Sequence, residues 1–112
     1  MKNETPESIC KSNGAEPQPP EQNSKVGIAI ESLEKSPFHA LRHNPENGTN
    51  GWYIWAGEYS NDPEFFKPLH IEHLGKYAPN IVKYTSLPPG FRVLIDNNGY
   101  EDIWFDEDLL SV

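Results

Sequence analysis

A chain of 112 residues with 36% hydrophobic content is sized for one modest domain, and it has no apolar run near the ~20 residues that span a bilayer. Its formal charge of -8 argues against a nucleic-acid groove and against attraction to anionic lipid. A single cysteine, Cys10, excludes an internal disulfide and a cysteine-ligated zinc site and fits a reducing compartment.

Residues 1–24 hold Pro6, Pro17, Pro19 and Pro20, four glutamates and no aromatic residue. That composition predicts a flexible tail, with one domain over 25–112. The start, Met1-Lys2-Asn3-Glu4-Thr5-Pro6, lacks the apolar core of a secretory signal, so the expected location is the cytoplasm. Lys25 to Lys35 carries Val26, Ile28, Ile30 and Leu33. This spacing fits a strand up to Ile30 and a helix from Ala29 onward equally well. Phe38 to His43 reads as a short strand, and the turn-rich run Asn44 to Asn50 connects it to the next element.

That next element, Gly51-Trp52-Tyr53-Ile54-Trp55-Ala56-Gly57, is a strand apolar on both faces. Trp52, Ile54 and Ala56 point one way, Tyr53 and Trp55 the other. Both faces are therefore covered, or one displays aromatic rings to a partner. Asp62 can cap a turn begun by Pro63 and Glu64, letting Phe65 and Phe66 plug the core. Leu69, Leu74, Tyr77, Ala78 and Ile81 follow a helical spacing that Pro79 interrupts, which predicts two short helices over 69–77 and 79–85. After Leu87-Pro88-Pro89-Gly90, the runs 91–95 and 100–105 flank Asn97-Asn98-Gly99 and predict a hairpin. The fold class is thus α+β, a small mainly antiparallel sheet with one or two short helices packed on it.

No catalytic signature emerges. His39/His43 and His70/His73 have spacings that can bring two imidazoles together, but a metal needs further ligands and no HExxH pattern occurs. Glu58, Asp62 and Glu64 fall in a loop with no identifiable apolar pocket to split their acid and base roles. No glycine-rich phosphate loop and no nucleophile motif is present, so neither a cofactor nor an enzymatic activity is expected.

What remains is aromatic and acidic display. One set is Trp52, Tyr53, Trp55 and Glu58; the other is Tyr100, Glu101, Asp102, Trp104 and Asp106. The sets can adjoin across a sheet. Six carboxylates and no basic residue follow Arg92, an anionic field that steers a cationic protein partner. Rings at its centre would supply desolvated contact area. Under the alternative, both aromatic sets are core and the acids only solvate the rim.

The landmarks Gly51-Trp52, Gly57-Glu58, Asp62-Pro63, Leu69, Tyr77-Ala78-Pro79, Ile81, Tyr84 and Leu87-Pro88-Pro89-Gly90-Phe91 resemble the immunity protein 33-like family over residues 38–95. These are small bacterial domains encoded beside toxins. In this resemblance Arg42 matches the basic end of the family's first strand, Tyr100 to Asp106 is an extension, and the segment before Lys25 has no counterpart. The resemblance implies a cytoplasmic antidote that blocks a cognate toxin without chemistry of its own. A protein-binding or regulatory module with a ligand other than a toxin shares the same physics, and a small metal-dependent enzyme is a third reading.

Overall fold

The computed structural model describes residues 5–46 and 48–111. Six strands form one mixed, mostly antiparallel sheet: β1 (Lys25–Ile28), β2 (Phe38–Arg42), β3 (Thr49–Ala56), β4 (Lys67–His70), β5 (Phe91–Ile95) and β6 (Glu101–Phe105), in the order β4-β1-β3-β2-β5-β6. Among the described residues, only β1 and β3 run parallel. With two short helices, α1 (Pro6–Ser12) and α2 (Leu74–Tyr77), the class is α+β. β2 and β3 pair antiparallel through the long connection, and β5 and β6 form the hairpin expected from Asn97-Asn98-Gly99. The ambiguous 25–35 segment is both things in turn, a strand to Ile28 and then a 3-10 turn over Ile30–Ser32.

One face of the sheet carries the core. Val26 and Ile28, Phe38 and Ala40, Trp52, Ile54 and Ala56, and Phe91, Val93 and Ile95 alternate onto it from four strands. Leu74, Ala78, Ile81, Tyr84 and Leu87 cover them from the segment that follows β4. Fully burying each such aliphatic side chain is worth about 1.5–3 kcal/mol, which is why this layer sets the sheet's register.

Three expectations are corrected. The first is the tail boundary at Lys25. Thr5 Oγ1 accepts from the Ser8 N–H (3.1 Å) and Ser8 Oγ from the Thr5 N–H (2.9 Å), a capping box that starts α1 with Pro6 in its first turn. Ile9 and Cys10 of this helix enter the core, and the Gln18 N–H donates to the Ser86 carbonyl at 2.7 Å. Two apolar side chains on one face suffice here because the sheet supplies the rest of the core. Residues 1–4 of the expected tail lie outside the described residues. Burial also pushes the Cys10 thiol up, against a smaller opposing effect of Arg42.

The second is the helix expected to begin at Leu69. Lys67–His70 is a strand, paired antiparallel with β1, and the helical turns begin only at Ile71. Leu69 and Leu74 pack on the same core from different backbone conformations, which imitates helical spacing. The third is Phe65 and Phe66, which do not plug this core. They are half-buried on the opposite face of the sheet, beside Tyr53 and Trp55.

Candidate protein-binding surface

The face of the sheet away from the core is only partly covered. Cross-strand register places Trp55, His39, Leu94 and Asp102 in one row, and Tyr53, Leu41, Arg92 and Trp104 in the next. The expected sets therefore share a face through Tyr53 and Trp55 on β3 and Asp102 and Trp104 on β6. They do not adjoin, because β2 and β5 intervene and three strand spacings amount to roughly 14 Å.

At the β3 end the loop after Gly57 folds an aromatic layer onto the sheet. Phe66 meets Tyr53 edge-on at 5.2 Å and Trp55 at 5.9 Å, and Tyr59 meets Trp55 at 5.4 Å. On β1, Gly27 makes this possible: a Cβ there would lie 2.6 Å from Tyr53 Cδ1, so the ring rests against bare backbone. The layer is incomplete. Leu41, His43, Tyr53, Trp55, Tyr59 and Phe66 line a groove of about 390 Å³. Tyr59 and Phe66 are site residues that the strand pattern could not reveal, since they reach the groove from an irregular loop; Glu58 is exposed beside them.

The first tryptophan of β3 behaves differently. Trp52 is 0% exposed, and its Nε1–H donates to the Thr85 carbonyl at 3.0 Å. It offers a partner no surface, and its expected role in binding is withdrawn. Beneath it Arg42 is also buried. The guanidinium donates to the carbonyls of Asn50 (2.9 Å), Gln18 (2.7 Å) and Leu87 (2.8 Å), with a longer contact to Thr85 (3.4 Å). Burial pulls its pKa down to about 10, so it remains charged at neutral pH, held by carbonyl dipoles and the Trp52 ring 5.8 Å away.

At the β6 end Trp104 is 40% exposed, Tyr100 51% and Phe105 52%, which makes this the largest display of accessible rings outside the loop layer. The acids around them have distinct tasks. The Tyr84 hydroxyl donates to Glu101 Oε2 at 2.5 Å. Asp102 is exposed, with the Tyr100 hydroxyl 3.4 Å away. Asp106 Oδ2 takes Arg92 Nε–H at 2.7 Å while its Oδ1 accepts from the Asp108 N–H and caps the last 3-10 turn, Glu107–Leu110. The Arg92 hydrogen bond, then that of Asp108, hold its carboxyl below the usual carboxylate range. Arg92, the last basic residue of the chain, is thus paired with Asp106; only acidic charges follow it in the sequence, and Lys83 lines the same hollow as Tyr100 and Glu101.

The histidines do not converge. His39 stacks on Trp55 at 4.8 Å and 10°. His43 Nδ1 lies 2.9 Å from the Leu109 carbonyl; a carbonyl can only accept, so Nδ1 carries the proton. The His70 and His73 rings are 6.2 Å apart. Among the described residues no three His, Cys, Asp or Glu side chains gather as a metal site. Burial, reinforced by Arg92, lowers the His39 pKa below its ordinary 6.5. The unfolded chain then binds more protons than the folded one as pH drops below 6.5, and stability falls with it. His39→Gln should flatten the urea-midpoint profile between about pH 7 and 5; profiles of equal slope in the two proteins would contradict this.

The aromatic groove and the acidic, ring-bearing edge are thus two surface features that this fold builds. The model of the Imm33-like domain matches residues 5–106. This chain belongs to the Imm33-like family. No curated protein and no solved structure matches it. The family match takes in α1, which corrects the expectation that the segment before Lys25 lacks a counterpart. It also takes in β6, so Tyr100 to Asp106 is part of the Imm33-like domain rather than an extension of it. Among the described residues, no helix of the domain is long and apolar enough to cross a membrane.

Proposed function

We propose that this protein is an immunity protein that binds a cognate bacterial toxin in the cytoplasm and occludes a basic surface on it. The family supplies the class, an immunity-type domain. The observation that carries the mode of action is the β6 rim, where Trp104 and Tyr100 are exposed among carboxylates, Arg92 is bound to Asp106, and Lys83 lies over the Tyr84 ring beside Glu101, so the acids outnumber the cations there. A ring surrounded by acids gives a cationic surface both contact area and orientation. Half-buried Tyr53 and exposed Glu58 extend the surface toward the groove, which Trp55, itself only 8% exposed, lines from beneath.

Rescue of growth in cells that express the toxin encoded beside this gene tests the reading directly. Trp104→Ala should stay folded, because a half-exposed ring contributes little to the core, yet lose about 2 kcal/mol of binding, roughly thirtyfold in affinity. Charge reversal at Glu101 and Asp102 should slow association. It should also flatten the dependence of the rate between about 50 and 500 mM salt, over which the Debye length shrinks roughly threefold. Full rescue by the folded triple variant would remove the β6 rim from the function.

A further inference from the structure

The two edges of the sheet are built differently. β4 closes one edge with Pro68, which has no N–H to offer, next to Lys67, whose Nζ lies 2.9 Å from Glu64. Proline and charge on an edge strand block further pairing. β6 closes the other edge without a proline, and four of its five residues are exposed, so this edge is open along its length.

Its backbone polarity follows from the ladder. The Asp106 N–H donates to the Gly90 carbonyl (2.7 Å) and the Asp96 N–H to the Tyr100 carbonyl (3.2 Å). Antiparallel pairs alternate, so Asp102 and Trp104, opposite Leu94 and Arg92, turn their backbone groups toward β5. The N–H and C=O of Glu101, Ile103 and Phe105 point outward, away from the sheet.

We infer that β6 is the docking strand: an extended, cationic segment of the partner adds to it as a seventh strand. This rests on the reading of the protein as a binder of a basic toxin, and it names how the contact is made. Charge selects the occupant. Glu101 and Asp102 lie at one end of β6, and Glu107 and Asp108 follow its other end, with no basic residue after Arg92. A second copy of the chain would bring two such fields within about 4.8 Å, the spacing of paired strands, and like charges oppose that pairing. A cationic strand meets attraction instead. It gains Trp104 on one face of the sheet and Phe105 on the other, since consecutive residues alternate. The segment that fits has lysine or arginine against Glu101 and Asp102 and β-branched residues against Ile103 to Phe105.

The probe is the peptide acetyl-Lys-Arg-Lys-Val-Thr-Val-amide, added to the full chain while amide exchange is followed by NMR. At saturation the amides of Glu101, Ile103 and Phe105 should slow about tenfold or more, with smaller changes at Asp102 and Trp104, which are already bonded to β5. The same peptide with glutamate for each basic residue should give no protection, and Asp102→Lys should weaken the basic peptide at least about tenfold. Ile103→Pro, which removes an outward N–H, should abolish binding where Ile103→Ala, with comparable loss of packing, retains it. Protection confined to the groove or to β4, no protection anywhere, or slowing of the three β6 amides by protein concentration alone would overturn the inference, the last in favour of a second copy. A toxin that is neutralised while these amides stay unprotected in the complex removes strand addition and leaves the proposed function standing. Peptide-induced protection in a protein that binds no toxin does the opposite.

Discussion

Replacing Arg42 by methionine is expected to cost about 3 kcal/mol, out of a total stability on the order of 5–10 kcal/mol for a domain of this size. The reason lies in what the guanidinium leaves behind. Methionine matches most of the aliphatic stem but donates no hydrogen bond. Asn50 and Leu87 are buried, at 3% and 0% exposure, and their carbonyls would lose the donor that Arg42 supplies. An orphaned buried acceptor costs roughly 1–3 kcal/mol. The Gln18 carbonyl sits on an exposed residue and can turn to water, while the Thr85 carbonyl keeps Trp52 Nε1–H. Relief of the buried charge returns part of the loss. Arg42→Lys should recover less than half of the remainder, because an ammonium cannot reproduce a fork that reaches the N-terminal segment, β3 and the 85–87 turn together. Urea denaturation at neutral pH measures both variants. An unchanged or raised midpoint for Arg42→Met would show that the cation is a desolvation burden rather than the tie between these segments.

Most of the sheet is legible in the sequence, and the reasons differ by element. Phe38, Ala40 and Arg42 alternate with His39 and Leu41, and the burial of β2 follows that alternation. The pattern thereby also places Arg42 on the core side, a signal easily passed over because a charged residue there contradicts ordinary hydrophobic patterning. The hairpin of β5 and β6 is announced by its turn. Two-sided apolarity in β3 leaves open whether its second face is covered or displayed; the fold covers it in part, with Tyr59, Phe65 and Phe66 from a loop with no period to read. The N-terminal helix is hidden by composition: Ile9 and Cys10 are too few to signal a packed element, and its stability comes from a cap and from tertiary contacts. Leu69 illustrates a different failure. A residue's depth in the core constrains only which side it faces, and a strand followed by a helical turn can satisfy the same set of buried positions as one helix. For the candidate surface, the acids and rings of β6 are readable as a display, whereas the commitment of Asp106 to Arg92 and of Glu101 to Tyr84 depends on contacts across the fold.

Trp52→Ala should be the most damaging single substitution in the aromatic set, costing about 4 kcal/mol, whereas Trp104→Ala should shift stability by less than about 1 kcal/mol. The contrast follows from position alone. Trp52 is fully enclosed on the core face of a central strand, so truncation opens a cavity that its rigid neighbours can fill only in part. Trp104 stands on an edge strand with much of its ring in solvent. The indole of Trp52 also shares work with Arg42: both donate toward the Thr85 carbonyl, and the guanidinium lies over the ring. Either donor alone still satisfies that carbonyl, and only the double variant Trp52→Ala/Arg42→Met orphans it, so the double variant should be destabilised by at least the sum of the single variants. A loss of about 7 kcal/mol or more would remove most or all of a stability on the order of 5–10 kcal/mol, so a double variant whose urea midpoint stays close to that of either single variant would contradict this. Equal losses for Trp52→Ala and Trp104→Ala in urea melts would mean that the edge is as integral to the core as the centre. In that case the accessible rings of β6 would belong to the fold and not to a partner.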